Sequence, residues 1–195
     1  MALLSLEKRK EYFEYLGLGK YNESNILKLQ KKYLLRPSDW DGIYGKNTDA
    51  LLRHLRNCKK YASKNFTPQE FRCGCNGRFC CGYPTRMKAK ELAHIQTIRT
   101  HFGLPMTITS GLRCERYNAE VGGIPDSRHK SGYAVDFCIA GLTDELAGRK
   151  KVIKYARKLK NHHYSYCNGY YSYSNGKAGS ISAPLMGNAV HTDTK

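Results

Sequence analysis

The chain has 195 residues, and 33 Lys and Arg against 16 Asp and Glu give a net charge of +17. That length and an ordinary apolar content allow one medium domain, or one with a small appendage, and exclude a disordered or fibrous chain. No apolar run is long enough to span a membrane.

The opening MALLSLEKRK lacks the central apolar segment of a secretory signal, so synthesis in the cytoplasm and a later route to the target are expected. The positive charge asks for a polyanionic partner, nucleic acid or an anionic bacterial cell wall. No helix-turn-helix, aromatic-basic or two-Cys, two-His pattern speaks for nucleic acid. The charge is uneven: residues 1–57 carry 11 basic and 7 acidic groups, and the remainder 22 and 9. The later part is the expected electrostatic contact.

Residues 6–16 read as an amphipathic helix that stops at Gly17. Residues 24–35 read as a second, capped by Ser24, with Ile26, Leu27, Leu29, Tyr33 and Leu34 as its stripe. Asp41-Gly42 and Gly45 mark turns, and Asn47 or Thr48 would cap a third helix carrying Leu51, Leu52 and Leu55. The stretches ILKLQKKY and DGIYGKNTDALLRHL resemble the peptidoglycan-binding domain of many cell-wall hydrolases, over residues 5–57. The resemblance implies a three-helix wall-binding module at 1–57.

A linker, CKKYASKN, and a capped turn, FTPQEF, follow. Residues 86–102 read as a long helix with Leu92, Ile95, Ile98 and Phe102 inward and His94 and His101 as surface or packed residues. Met106–Thr109 and YAVDFCI read as strands, YNAEVGG as a short helix or turn, and TDELAGRKKVIKYARKLK as a basic helix capped by Thr143 or Asp144. Residues 164–182, rich in Tyr, Ser and Gly, suggest loops or a hairpin, and NAVHTDT a last strand.

There are eight cysteines: Cys58, Cys73, Cys75, Cys80, Cys81, Cys114, Cys138 and Cys167. CGCNGRFCC is dense enough for a metal site, yet it has no Cys-x-x-Cys. For Cys73, Cys75, Cys80 and Cys81, metal, disulfide and plain thiol all stay open.

In YAVDFC, alternation puts Tyr133, Val135 and Phe137 on one face and Ala134, Asp136 and Cys138 on the other. An isolated carboxylate in an apolar strand costs several kcal/mol unless paired or bound to a cation. His191 and Asp193 share a face in the last strand. If the two strands are neighbours, His129, Asp136 and His191 converge, and two His with one Asp leave room for a water on zinc. Spacing alone fits a simple His–Asp hydrogen bond as readily.

The surrounding motif decides. TITSGLRCERYNAEVGGIPDSRHKSGYAVDF resembles the zinc D-Ala-D-Ala carboxypeptidase and L-alanyl-D-glutamate endopeptidase family, which shares its fold with the hedgehog signalling domain. The match runs over about residues 65–195. It implies an α+β domain at 58–195, with a mainly antiparallel sheet flanked by helices. It implies zinc on His129, Asp136 and His191, Arg113 on a scissile carbonyl or a substrate carboxylate, and Ser127 orienting the peptide. Several branches carry a proton-transfer group shortly before the last ligand; here Asn188 and Ala189 stand there. Asp193, Glu120 and Asp126 are the substitutes, Asp193 more naturally as a partner of the His191 ring. Leu112 replaces the usual aromatic residue.

The expected protein is a monomeric peptidoglycan hydrolase with no specific nucleic-acid partner and no membrane insertion, laid out like a phage or prophage endolysin. A catalytically weak or inactive zinc-containing wall binder is the alternative.

Overall fold

A computed structural model describes residues 2–195. Three helices come first: α1 (Leu6–Leu16), α2 (Glu23–Tyr33) and α3 (Lys46–Tyr61). Ser5 caps α1 by accepting the Lys8 N–H, and Gly17 ends it in the left-handed region. α2 is capped by Asn22, which accepts the Asn25 N–H, rather than by Ser24.

Neither Asn47 nor Thr48 caps α3, because both are engaged elsewhere. Asn47 donates to Asp39 at 2.9 Å. Thr48 joins a buried knot around Gln30, whose amide nitrogen faces Asp41 Oδ1, the Ile43 carbonyl and Thr48 Oγ1 at 2.9–3.0 Å. Gln30 Oε1 accepts the Gly42 N–H. The Leu-Gln and Asp-Gly-x-x-Gly-x-x-Thr pattern therefore locks the α2–α3 loop from within. α3 also runs through the first half of the expected linker. Its buried stripe of Leu51, Leu55, Cys58 and Ala62 continues at helical spacing past residue 57.

An irregular stretch leads to α4 (Ala89–Phe102), which starts three residues later than its pattern predicts. Before it the chain is held extended: Met87 donates its N–H to His54, and Lys88 to the Gly132 carbonyl. The rest is β1 (Met106–Ser110), α5 (Glu115–Glu120), β2 (Ala134–Ile139), α6 (Leu146–Ala156), β3 (His162–Cys167), β4 (Tyr170–Tyr173), β5 (Ala178–Gly179) and β6 (Val190–Thr194). Thr143 does not cap α6; its hydroxyl closes the end of β2 against the backbone of Ile139. Asp144 does not cap it either, since Glu145 holds the cap position. The Tyr- and Ser-rich segment forms the β3–β4 hairpin.

The six strands make one antiparallel sheet, in the order β1-β2-β6-β3-β4-β5. The fold is α+β, as expected. One face of the sheet carries Val135, Phe137 and Val190, all fully buried, with α4 and α6 against it. These residues belong to the same core cluster as Phe13, Leu51 and Leu52 of the first helices. His94 is buried in this layer, its Nε2 3.0 Å from Thr192 Oγ1, while His101 is exposed and stacks on Tyr155. No helix among the described residues is long and apolar enough to cross a membrane.

Candidate metal centre and active-site cleft

The other face of the sheet carries the chemistry. In the antiparallel register Asp136 lies directly opposite His191, and Ala134 opposite Asp193. Opposed residues project to the same side, so period-two alternation delivers the three polar groups to one surface. On the far side of β2, a bulge between Ile108 and Ser110 brings Ser110 opposite Asp136.

His129 arrives from a different element, the single 3₁₀ turn Arg128–Ser131, which Gly132 closes at φ 77°. A Cβ at Gly132 would lie 2.1 Å from the Arg86 carbonyl, so the turn needs glycine twice over, for conformation and for space. The His129 ring is fixed by its Nδ1–H, which donates to the Gly111 carbonyl at 2.7 Å. Its Nε2 lone pair then faces Asp136 Oδ1 at 3.2 Å and His191 Nδ1 at 3.3 Å. His191 Nδ1 and Asp136 Oδ1 are 2.7 Å apart. All three side chains are buried.

These separations suit one small cation. Zinc–nitrogen and zinc–oxygen bonds of about 2.0–2.1 Å set tetrahedral edges of about 3.3 Å. Two of the three observed edges lie at that value, and the third is shorter. His129, Asp136 and His191 are thus one of two groups among the described residues that could hold a metal ion.

The charges around the three donors are balanced. Burial pushes the Asp136 carboxyl up, but His129 and His191 outweigh it and hold the group well below the ordinary carboxylate range. Burial lowers His129. Burial also works against protonation of His191, yet Asp136 and Asp193 on its two nitrogens raise it to about 9. A protonated His191 would donate one N–H to each carboxylate, and the one on Nδ1 points to where a cation would bind.

Arg113 donates from Nη2 to Asp136 Oδ2 at 2.6 Å and from Nε to Ser110 Oγ at 2.9 Å. That ties up Oδ2 and leaves Oδ1 turned to the histidines. Asp193 stands behind His191, its Oδ2 3.5 Å from Nε2, and its other oxygen accepts from His163 Nδ1 at 2.6 Å. It faces the ring nitrogen remote from the other donors. Ser127 is buried at the head of the His129 turn and is not part of the cleft lining. Asp126 is exposed. Glu120 borders the cleft but is ion-paired with Arg78 at 2.7 Å. Asn188 accepts from Arg149.

Two residues were not legible beforehand. Tyr166 lies opposite His191 in β3, with ring centroids 4.7 Å apart, and lines the cleft; burial raises its phenol, which keeps it a donor. His163 reaches Asp193 because a bulge between His162 and Tyr164 shifts the β3 register. Asn118 of the Asn-x-x-x-Gly-Gly motif is buried scaffolding, donating to the Gly123 and Ile124 carbonyls.

Asp136 and Arg113 open into a cleft of about 990 Å³, with Tyr166 and Tyr117 on its walls and Leu185, 93% exposed, at its lip. The Peptidase M15 profile matches residues 64–175. The chain belongs to the Peptidase M15 family. By family it is a metallopeptidase, and the matched span contains His129, Asp136 and Arg113. His191 lies beyond that span, and the sheet register alone brings it to the other two. Neither the curated proteins nor the solved structures gave a match to the chain.

Proposed function

We propose that this M15 metallopeptidase is a zinc-dependent peptidoglycan hydrolase that cuts amide bonds in bacterial stem peptides. The observation that carries the reading is the meeting of His129 Nε2, Asp136 Oδ1 and His191 Nδ1 beside Arg113 in an open cleft. Two imidazoles and one carboxylate are a donor set suited to zinc, with a fourth position left for water or substrate. Zinc held there would supply a Lewis acid and a water acidic enough to yield hydroxide near neutral pH.

The chain's own residues do the rest. Arg113, held at two points, retains further N–H donors for a carbonyl oxygen or a terminal carboxylate. Tyr166 offers a protonated phenol in the same cleft. Asp193, itself oriented by His163, keeps the His191 ring aligned from behind.

Residues 1–57 would act as the wall-holding module and 58–195 as the peptidase, the plan of a phage or prophage endolysin. Tethering would raise the local concentration of stem peptides without altering the chemistry. The net charge of +17 suits anionic wall polymers. Lys150, Lys151 and Lys154 along α6, with Lys158 just past its end, border one surface groove that offers such a contact.

The test is release of new amino groups from purified peptidoglycan, with and without a zinc chelator. His129→Ala should abolish release and leave wall binding intact; unchanged release in that variant ends the zinc-peptidase reading. Mass spectrometry of the products tells D-Ala-D-Ala carboxypeptidase from L-Ala-D-Glu endopeptidase action. A specific observation favours a second reading, a zinc-containing wall binder of weak or absent activity. The carboxylates bordering the cleft are Asp136 and Glu120, and the second is bound to Arg78. Wall binding with bound zinc and no amine release would decide for it.

A further inference from the structure

Away from the cleft sheet face, four cysteines form a buried cluster of their own, separate from the main core: Cys73, Cys75, Cys80 and Cys114. Cys81, the neighbour in sequence, is not among them; it packs into the main core, and burial pushes its thiol up to about 11. The fourth thiol comes instead from Cys114, beyond α4 and β1. We propose that Cys73, Cys75, Cys80 and Cys114 hold a second zinc ion in a closed, structural four-thiolate site.

Three observations support it. The first is distance. The four sulfurs all lie within 4.8 Å of one another, and Cys75 and Cys80 are 3.5 Å apart. Zinc–sulfur bonds of about 2.3 Å place tetrahedral sulfurs about 3.8 Å from each other. A disulfide would bring a pair to about 2.05 Å, and all eight cysteines are free.

The second is the backbone. The segment between the short turn Pro68–Phe71 and α4 has neither helix nor strand, and only scattered backbone hydrogen bonds hold it, from Cys73 N–H to the Gly82 carbonyl, Arg78 N–H to the Cys75 carbonyl and Leu35 N–H to the Cys81 carbonyl. Yet it contains Asn76 at φ 49°, the one non-glycine residue at positive φ among the described residues, followed by Gly77 at φ 86°. That pair of left-handed residues turns the chain so that Cys80 comes back onto Cys75. Strain of this kind persists only where the surroundings over-determine it. The apolar neighbours of the cluster, Phe79 and Tyr117, are only half-buried and too few to do so.

The third is hydrogen bonding. The Cys114 N–H donates to Cys73 Sγ at 3.3 Å, the interaction a metal-bound thiolate accepts. The outer loop is closed independently by the Cys73 N–H on the Gly82 carbonyl.

The site would be structural because the protein fills all four positions, leaving none for water or substrate. Its zinc would join the 73–80 loop to Cys114, the residue after Arg113. The Leu112 N–H is also bonded to the Phe71 carbonyl, so both ends of this short stretch would be pinned.

The test uses the full chain carrying His129→Ala, purified under reducing conditions, so that the centre at His129 contributes nothing. One zinc per chain should remain by elemental analysis and should be released by an organomercurial thiol reagent. Reconstitution with cobalt(II) should give the strong near-ultraviolet sulfur-to-cobalt charge-transfer bands that a histidine and carboxylate set lacks. Cys114→His, which keeps a ligand, should retain the metal with weaker charge-transfer bands. The proposal is overturned by a metal-free His129→Ala chain that is nonetheless folded, by iron in place of zinc, or, in a parallel preparation without reductant, by peptide mapping that finds disulfides among Cys73, Cys75, Cys80 and Cys114. None of these outcomes depends on peptidase activity, so failure here leaves the proposed hydrolase untouched, and the reverse.

Discussion

His54 should make the protein acid-sensitive, and the structure sets the size of the effect. The residue is on α3, completely buried, with its ring 5.0 Å from the Tyr83 ring. Its Nε2–H donates to the Pro68 carbonyl at 3.0 Å, and its Nδ1 accepts the Met87 N–H at 3.3 Å. Both nitrogens are satisfied in one neutral tautomer. A second proton would set an N–H against the Met87 N–H. Burial accordingly lowers His54 from the ordinary 6.5 to about 4. The group is depressed in the native state, so below pH 6.5 the unfolded chain binds a proton that the folded chain refuses. Stability is therefore lost as pH falls from 6.5 towards 4. The whole gap corresponds to about 3 kcal/mol, of which about 2 kcal/mol is lost by pH 5. With a urea dependence of about 2 kcal/mol per molar, the unfolding midpoint should drop by about 1 M between pH 7.5 and pH 5 from this residue alone. Other groups titrate in the same range, so the measurement is a difference. His54→Gln should start less stable at pH 7.5 but lose about 2 kcal/mol less than the wild type on acidification. Equal losses in the two chains would refute the argument.

Three further changes probe the scaffold of the cleft. Asp193→Asn should weaken zinc binding about 10- to 100-fold in a competition titration with a chromophoric chelator, because the charge behind His191 is removed; unaltered affinity would assign Asp193 to His163 alone. Gly132→Ala should destabilise by about 3 kcal/mol in urea unfolding, combining the left-handed backbone with a Cβ driven onto the Arg86 carbonyl; a chain as stable as the wild type would contradict this. Glu91 is fully buried beneath β6, and burial raises its carboxyl well above the ordinary value despite the nearby Thr194 hydroxyl. A raised native value means stability is lost as pH rises above the ordinary 4.5, so Glu91→Gln should gain on the wild type from there upward, and parallel midpoints would discount the burial argument.

What the sequence disclosed follows from how local each cause is. Asp136 and His191 could be paired in advance because period-two alternation and one antiparallel neighbour suffice to oppose them. The role of His163 could not be read, since strict alternation sends it to the face opposite Tyr164, and a bulge reverses that. Thr143, Asn47 and Thr48 look like helix caps by position, yet Thr143 turns back to the end of β2 at Ile139, and Asn47 and Thr48 take partners across the α2–α3 loop. Cys81 looked like the fourth member of its cluster by adjacency, and only folding substitutes Cys114. Asn47, Thr48 and Cys114 show the same cause: a partner distant in sequence takes a polar or thiol group that adjacency would place elsewhere.

The two candidate metal centres meet at the segment Ser110–Cys114. Ser110 holds Arg113 and lies opposite Asp136; the Gly111 carbonyl fixes the His129 ring; Arg113 takes Asp136 Oδ2; and the Cys114 N–H reaches Cys73. A Cβ at Gly111 would lie 2.5 Å from the Phe71 carbonyl, so the chain just past β1 and the turn that leads into the cysteine loop touch without space for a side chain. Neither set of donors exists in the unfolded chain, because each draws on parts of the sequence far from one another. Metal binding at either place is consequently coupled to folding. Zinc on the cysteines would stabilise the native path of this segment before any substrate arrives, and the donors held by Gly111 and Arg113 would inherit that order. The coupling runs through the backbone of five consecutive residues and is reciprocal in binding free energy. Loosening the cysteine loop should disturb the donors around His129, and His129→Ala, which leaves the four thiol ligands in place, should cost the second site only the part of its affinity that this segment transmits.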